Sequence, residues 1–207
     1  LFTAVEMAPR DPILGLNEQF AADTNPNKVN LGGGVYYDDN GKLPLLQCVQ
    51  AAEKAMMDKP TARGYLPIDG IAAYDNAVKG LVFGADSEPV TSGRVATVQA
   101  IGGTGGLKIG ADFLKGLSPN ATVLISDPSW ENHRALFTNA GFKVDTYAYY
   151  DAAKRGVNFD GMLASLNAAA AGTIVVLHAC CHNPTGYDIT ADQWDQVVAV
   201  VKAKGLT

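Results

Sequence analysis

Cysteine is scarce in this chain: only Cys48, Cys180 and Cys181 occur among 207 residues. Two of them are adjacent, and neighbouring cysteines rarely bridge, so no disulfide framework is expected and a reducing cytoplasm fits. Long apolar runs are missing too. The longest, "TIVVLHACC" and "VATVQAIGG", are far too short to span a bilayer. There is no basic run, and the net charge is only −5. That argues against a nucleic-acid or anionic-membrane partner. The opening "LFTAVEMAPRDP" has no basic start followed by an apolar core, so no signal peptide is expected. Internal repeats and low-complexity segments are lacking, apart from a short Ala run at 168–171.

What remains is a composition that is 47% hydrophobic, enough for one sizeable core and part of a second domain. From about residue 95 the pattern is regular. Strand-like segments rich in β-branched residues fall at 94–101, 121–127, 143–150 and 173–181. Between and after them, helical spacing marks 107–117, 130–141, 160–171 and 190–205. Thr190 and Gln193 have capping-box spacing, and Gly205 is a natural stop. Alternation of this kind predicts an α/β fold: a mixed, mostly parallel sheet with helices on both faces. Such a unit would feed a further strand after its last helix, so a truncated piece of a larger protein is expected. The first 90 or so residues are less regular. Helices are expected at 11–23, 45–58 and 70–84, with strand, Gly-rich bend and an Asn40-Gly41 turn across 28–44.

Three segments carry candidate chemistry. "AIGGTGGLK" joins a strand to a helix. Unpaired amides and the dipole at a helix start favour an anion, glycines let backbone approach a phosphate, and Thr104 adds a hydroxyl. The loop is neither a Walker A motif nor G-x-G-x-x-G, because Lys108 stands at the last Gly position. A phosphate site and a plain tight turn both remain open. "SDPSWENH" (126–133) follows a strand, and sheets of this class bind ligands at the carboxyl ends of their strands. Trp130 there is either a flat platform for an aromatic ligand or an apolar cap on the sheet, and His133 alone says little.

"VVLHACCHNPTGYD" (175–188) looks at first like a metal or thiol site. In a strand, His178, Cys180 and His182 would share one face, with Cys181 on the other. Yet no second cysteine pair exists to complete a zinc site, and adjacent cysteines lack C-x-x-C spacing. The cysteines are expected to pack as small buried hydrophobes, with no metal. Weight moves to Asn183, held extended by Pro184 at the end of a strand.

"NLGGGVYYD", "RGYLPIDG", "GGTGGLKIGADF", "SDPSWENH" and "CCHNPTG" occur in this order and spacing. With them, essentially the whole chain resembles the N-terminal half of the class-I, aspartate/aromatic aminotransferases, which are dimeric pyridoxal-phosphate enzymes. The resemblance implies an N-terminal arm with part of a small domain at 1–43, and part of a large cofactor-binding domain at 44–207. It implies cofactor contacts from Gly103 and Thr104 (phosphate), Trp130 (ring stacking), Asn183 (phenolic oxygen) and Tyr65 (phosphate of the neighbouring subunit's cofactor). Gly34, Trp130 and Asn183 would meet the substrate, with His133 behind the ring. Ile13 and Leu14 would lie at the pocket mouth. Pro128 and Pro184 match positions where the family has cis peptide bonds.

The implied activity is ping-pong transfer of the amino group of aspartate or aromatic amino acids to 2-oxoglutarate, in a cytoplasmic homodimer. Other classes to separate from it are a non-catalytic phosphate-ligand-binding α/β domain, a metal or thiol protein, and a related pyridoxal-phosphate lyase. Gly33 and Gly106 depart from the family's usual apolar and Ala residues, the latter costing up to about 1 kcal/mol of helix propensity. The family's Schiff-base Lys, the Asp beneath the pyridine nitrogen and two anion-binding Arg residues fall beyond Thr207. No catalytic residue is therefore expected in these 207 residues, and Lys202 and Lys204, on a surface-type helix, are not substitutes. The fragment alone is expected to be inactive.

Overall fold

A computed structural model describes residues 2–7, 9, 14–30 and 32–207. Ile13 and the side chain of Leu14 lie outside the described residues. The chain divides into two compact units, Leu1–Gly64 and Tyr65–Thr207.

The first unit holds helices α1 (Leu14–Ala22) and α2 (Gln47–Asp58). Between them no strand forms among the described residues: 28–30 and 32–44 are irregular. The turn at its centre is present. Asp38 accepts from the backbone N–H groups of Asn40 and Lys42, and Gly41 takes a φ of +68°, where glycine avoids the Cβ clash. Helix α2 has no buried residue.

The second unit opens with α3 (Ala72–Phe83), a short α4 (Glu88–Thr91) that periodicity did not reveal, and α5 (Gly102–Leu117). Its core is a parallel three-stranded sheet of β1 (Thr122–Asp127), β2 (Lys143–Ala148) and β5 (Ile174–Val175), in the order β2-β1-β5. A separate antiparallel ribbon pairs β3 (Tyr150–Asp151) with β4 (Gly156–Val157). Helices α6 (Glu131–Asn139), α7 (Phe159–Ala168) and α8 (Ala191–Lys204) complete the unit.

Alternation along β1 divides the core into two layers. Val123 and Ile125 pack with Ala111 of α5, Phe137 of α6, Phe142 and Ile174. Leu124 faces the other way, packing with Tyr147, with Met162 and Leu166 of α7 and with Val197 of α8. Helices therefore cover both faces, as the alternating pattern predicts. The α8 capping box forms, with Thr190 and Gln193 bonded reciprocally, and Gly205 closes the helix in the left-handed region.

Three expectations need correction. Residues 94–101 form no strand, because a strand needs a neighbour to satisfy its amides. Here Val98 and Ile101 are exposed and Gln99 N bonds the carbonyl of Asp69 instead. The segment 173–181 pairs with β1 only at Ile174 and Val175, plus one bond from Val176 N to Leu124 O, exchanges bonds with Thr207 through Thr173 O and Val175 N, then bends away. The glycines at 102–106 are not a loop before the helix but its first turn.

Candidate functional site

The carboxyl ends of β1 and β5 carry the two segments singled out above. After β1 the chain passes through a cis Asp127-Pro128 peptide to Trp130, the N-cap of α6. After β5 it reaches His178, His182 and a cis Asn183-Pro184 peptide. All three histidines of the chain converge here. His133 and His178 meet edge to face at 5.1 Å, and His178 stacks on His182 at 4.2 Å. Trp130 is half-buried and meets His133 edge to face at 5.4 Å.

Hydrogen bonds tie the groups together. Ser129 Oγ lies 2.9 Å from His133 Nδ1. Asn183 N donates to His178 Nδ1 at 3.1 Å, which places the proton of a neutral His178 on Nε2. That Nε2 is buried with no partner among the described residues. On α6, Asn132 Nδ2 reaches Thr104 Oγ1 at 3.5 Å, linking the glycine turn to the same cluster. Ring contacts and one hydrogen bond thus run from Trp130 through His133 and His178 to Asn183, and Asn132 on the same helix meets Thr104.

The electrostatics are those of uncharged imidazoles. Burial holds His133 below its ordinary pKa, and the nearby His178 adds to this. Burial lowers His178 as well. His182 is depressed to about 4, first by burial and then by His178. Asp188 goes the other way: backbone N–H groups of His182 and Cys181 hold its carboxyl below the usual range.

Helix α5 has no side-chain cap; Gly102 N bonds the carbonyl of Ala100, which leaves the N–H groups of Gly103 and Thr104 to meet an anion. Gly103 and Thr104 lie in that turn and are exposed. Asn183 is exposed, in the turn beyond β5. Tyr65 is fully exposed. Gly34 belongs to the first unit, beside a shallow groove lined by Asn30, Gly33 and Tyr37; Tyr65 is not joined to the cluster by a described contact.

The cysteines are corrected. Cys180 and Cys181 are exposed, not buried. Residues 179–181 bend rather than continue the strand, and Cys181 sits at a φ of +52°, which turns the alternation off. Among the described residues no group of three or more His, Cys, Asp or Glu side chains is arranged to hold a metal.

Sequence reasoning missed Ser126, Thr185 and Asp188, and gave His182 no part. The signal was present in the spacing of His178 and His182, but it pointed to metal rather than to ring stacking.

The fold and site define a class: an α/β domain that gathers an uncapped helix N-terminus, a half-exposed indole and a polar amide at its strand ends. Comparison narrows it. The family described as Aminotransferase class I and II matches residues 26–207, and the chain belongs to that family. It is 67% identical over 205 residues to an aspartate aminotransferase of Pseudomonas aeruginosa, covering 99% of this chain and 52% of that protein. It is 48% identical over 207 residues to the aromatic-amino-acid aminotransferase of Escherichia coli, covering 100% and 52%. The crystal structure of an aromatic-amino-acid aminotransferase from Burkholderia pseudomallei, covalently bound to pyridoxal phosphate, superposes with a TM-score of 0.93 at 67% identity. That match covers 100% of this chain and 52% of the other. The chain thus spans about half the length of the relatives it matches.

Proposed function

We propose that these residues are the N-terminal half of a pyridoxal-phosphate-dependent aminotransferase. It would transfer the amino group of aspartate or aromatic amino acids to 2-oxoglutarate. The observation that supports this is the contact path from Trp130 through His133 and His178 to Asn183, on a helix whose Asn132 also meets Thr104 at the start of α5. A buried His178 Nε2 without a partner fits a site whose remaining acceptor comes from outside the described residues.

When bound, pyridoxal phosphate supplies an electron sink for charge developing at the amino-acid Cα. The residues of this chain bind and orient. Free N–H groups at Gly103 and Thr104, with the Thr104 hydroxyl, hold the phosphate. The Trp130 indole would stack on the ring and exclude water from that face. The Asn183 amide donates to the phenolic oxygen and favours its ionised form. His133, uncharged and anchored by Ser129, supports the ring from behind. Gly34 offers its N–H to the substrate carboxylate, and Tyr65 serves the cofactor phosphate of a neighbouring subunit in a cytoplasmic homodimer. Residues 1–43 act as arm and small-domain segment, and 44–207 as part of the large domain. The Lys that would bond the cofactor is not assigned to any of these 207 residues, and on this reading they are inactive by themselves.

The test uses the full-length protein. Purified protein should take up pyridoxal phosphate with a new visible absorbance band, and a panel of amino donors with 2-oxoglutarate should show turnover with aspartate or aromatic donors. Absence of cofactor uptake would overturn the reading. Turnover by the 207-residue chain alone would overturn the assignment of the missing Lys.

A further inference from the structure

His182 has no part in the mechanism above, yet its side chain is held on every side. Its residue exposure is 2%. Its Nε2 lies 2.8 Å from Ser126 Oγ on β1, and its Nδ1 lies 2.8 Å from Thr185 Oγ1. Tyr149 stacks on it at 3.9 Å with the planes 14° apart, and His178 stacks at 4.2 Å, so the ring is sandwiched.

The surrounding turn closes on the same residue. Asp188 accepts from His182 N at 2.9 Å and from Cys181 N at 2.7 Å. Gly186 N donates to His182 O at 2.7 Å. Tyr187 N donates to Thr185 Oγ1 at 3.2 Å, and the Tyr149 hydroxyl donates to Tyr187 O at 2.7 Å. On the far side, the Tyr147 hydroxyl donates to Val176 O at 3.0 Å. A buried polar link therefore runs from Ser126 on β1, through His182, to the turn that carries Asn183.

Asn183 is the next residue along. The residue is exposed, and its side chain has no described hydrogen bond that would aim it. A solvent-facing amide keeps its rotamer freedom unless the backbone beneath it is fixed, and misplacement of about 1 Å is enough to spoil a catalytic contact. The ring of His182 is the member of the set that joins the turn to the sheet from within.

We propose that His182 is a positioning residue: bonded through both ring nitrogens, between Ser126 on the sheet and Thr185 in the turn, it fixes the backbone from which the Asn183 amide reaches the cofactor oxygen. This rests on the proposed function for the Asn183 contact itself. It predicts that His182 and Asn183 act as a unit, so their substitutions should not add.

The experiment uses the full-length holoenzyme with N183A, H182A, the double variant, and T185V, which keeps volume while deleting the Nδ1 partner. The pKa of the bound cofactor is read from the pH dependence of its visible absorbance. N183A should shift it, H182A should shift it in the same direction by about half a unit or more, and T185V by less. The double variant should match N183A alone. A purely structural His182 would lower the melting temperature and leave the cofactor pKa where it was, which overturns the proposal; so would additive shifts.

A second readout needs no cofactor. In the cofactor-free protein, backbone amide exchange across 181–186 should rise about tenfold or more in H182A and T185V. Unchanged exchange overturns the proposal. If H182A does not fold, T185V decides both readouts. If the wild-type protein never takes up pyridoxal phosphate, the functional reading has failed, and the exchange measurement still decides whether His182 fixes the turn.

Discussion

Residues up to 110 and residues from 111 onward differ sharply in what they bury. Among the described residues of the first stretch only Gly70 and Asp75 are buried. The second stretch contains the whole apolar core, from Ala111 to Leu206. Composition does not explain this, since the first stretch is full of apolar side chains: Met57, Leu81 and Ile101 are 80%, 86% and 94% exposed. The difference is one of partners. Helices α2 and α3 form where periodicity puts them, because a helix closes its hydrogen bonds within its own segment. Among the described residues the expected strands at 28–44 and 94–101 do not form, because a strand's amides are satisfied only by a neighbour.

The sharpest way to break that comparison is amide exchange. Residues 123–126 lie in the central strand, paired on one side throughout and on the other at Val123 and Leu124. Their amides should exchange slower than those of 95–101 by at least about three orders of magnitude, approaching the rate set by global unfolding. Equal protection in the two segments would show that 94–101 is a paired strand after all.

Truncation at matched positions gives the next largest contrast. Leu166 is 0% exposed between α7 and the sheet. L166A should cost about 2–5 kcal/mol by urea unfolding, through lost burial and the cavity left behind. M57A on α2 should stay within about 0.5 kcal/mol. A large loss for M57A would mean that α2 is covered in solution.

The same logic says what was legible beforehand. Both faces of the sheet, the α8 capping box and the cis prolines could be read in advance, since each depends on local spacing or a motif. The parallel order β2-β1-β5 and the length of β5 depend on which strands find each other. The site divides likewise. Trp130, His133 and Asn183, singled out by motif, are joined through His178, and Thr104 meets Asn132 on α6. Ser126 and Thr185 bond one imidazole from positions 56 and 3 residues away, and no periodicity marks that. The cysteines were misread because alternation was extended past Val176, where the ladder ends.

The histidine cluster makes the buried stretch sensitive to acid, with a sign that follows from linkage. His182 falls from 6.5 to about 4 on folding, so between those values the unfolded chain binds more protons than the folded one. Stability contributed by the neutral ring is fully present above about pH 6.5 and is lost as pH falls toward 4. At roughly 1.4 kcal/mol per unit, His182 alone accounts for up to about 3 kcal/mol, with His133 and His178 acting in the same direction. Unfolding followed from pH 7 to pH 4 should show this loss in the wild type and a flatter curve in H182Q. An identical pH dependence in H182Q would assign the effect elsewhere.

The smallest effect isolates local from tertiary stabilisation within the well-packed stretch. Thr190 Oγ1 accepts from Gln193 N at 3.3 Å, and Gln193 Oε1 accepts from Thr190 N at 2.9 Å. Helix α2 has no such cap, since Leu46 stands at its N-cap. Removing the hydroxyl in T190A leaves the Gln193 N–H without its acceptor and should cost about 1 kcal/mol, while T190S retains the cap and should cost far less. The loss stays small because α8 is also held by Val197, fully buried against the sheet. If T190A unfolds the protein outright, α8 depends on its cap rather than on its packing, and the contrast between the two stretches would rest on local signals more than on burial.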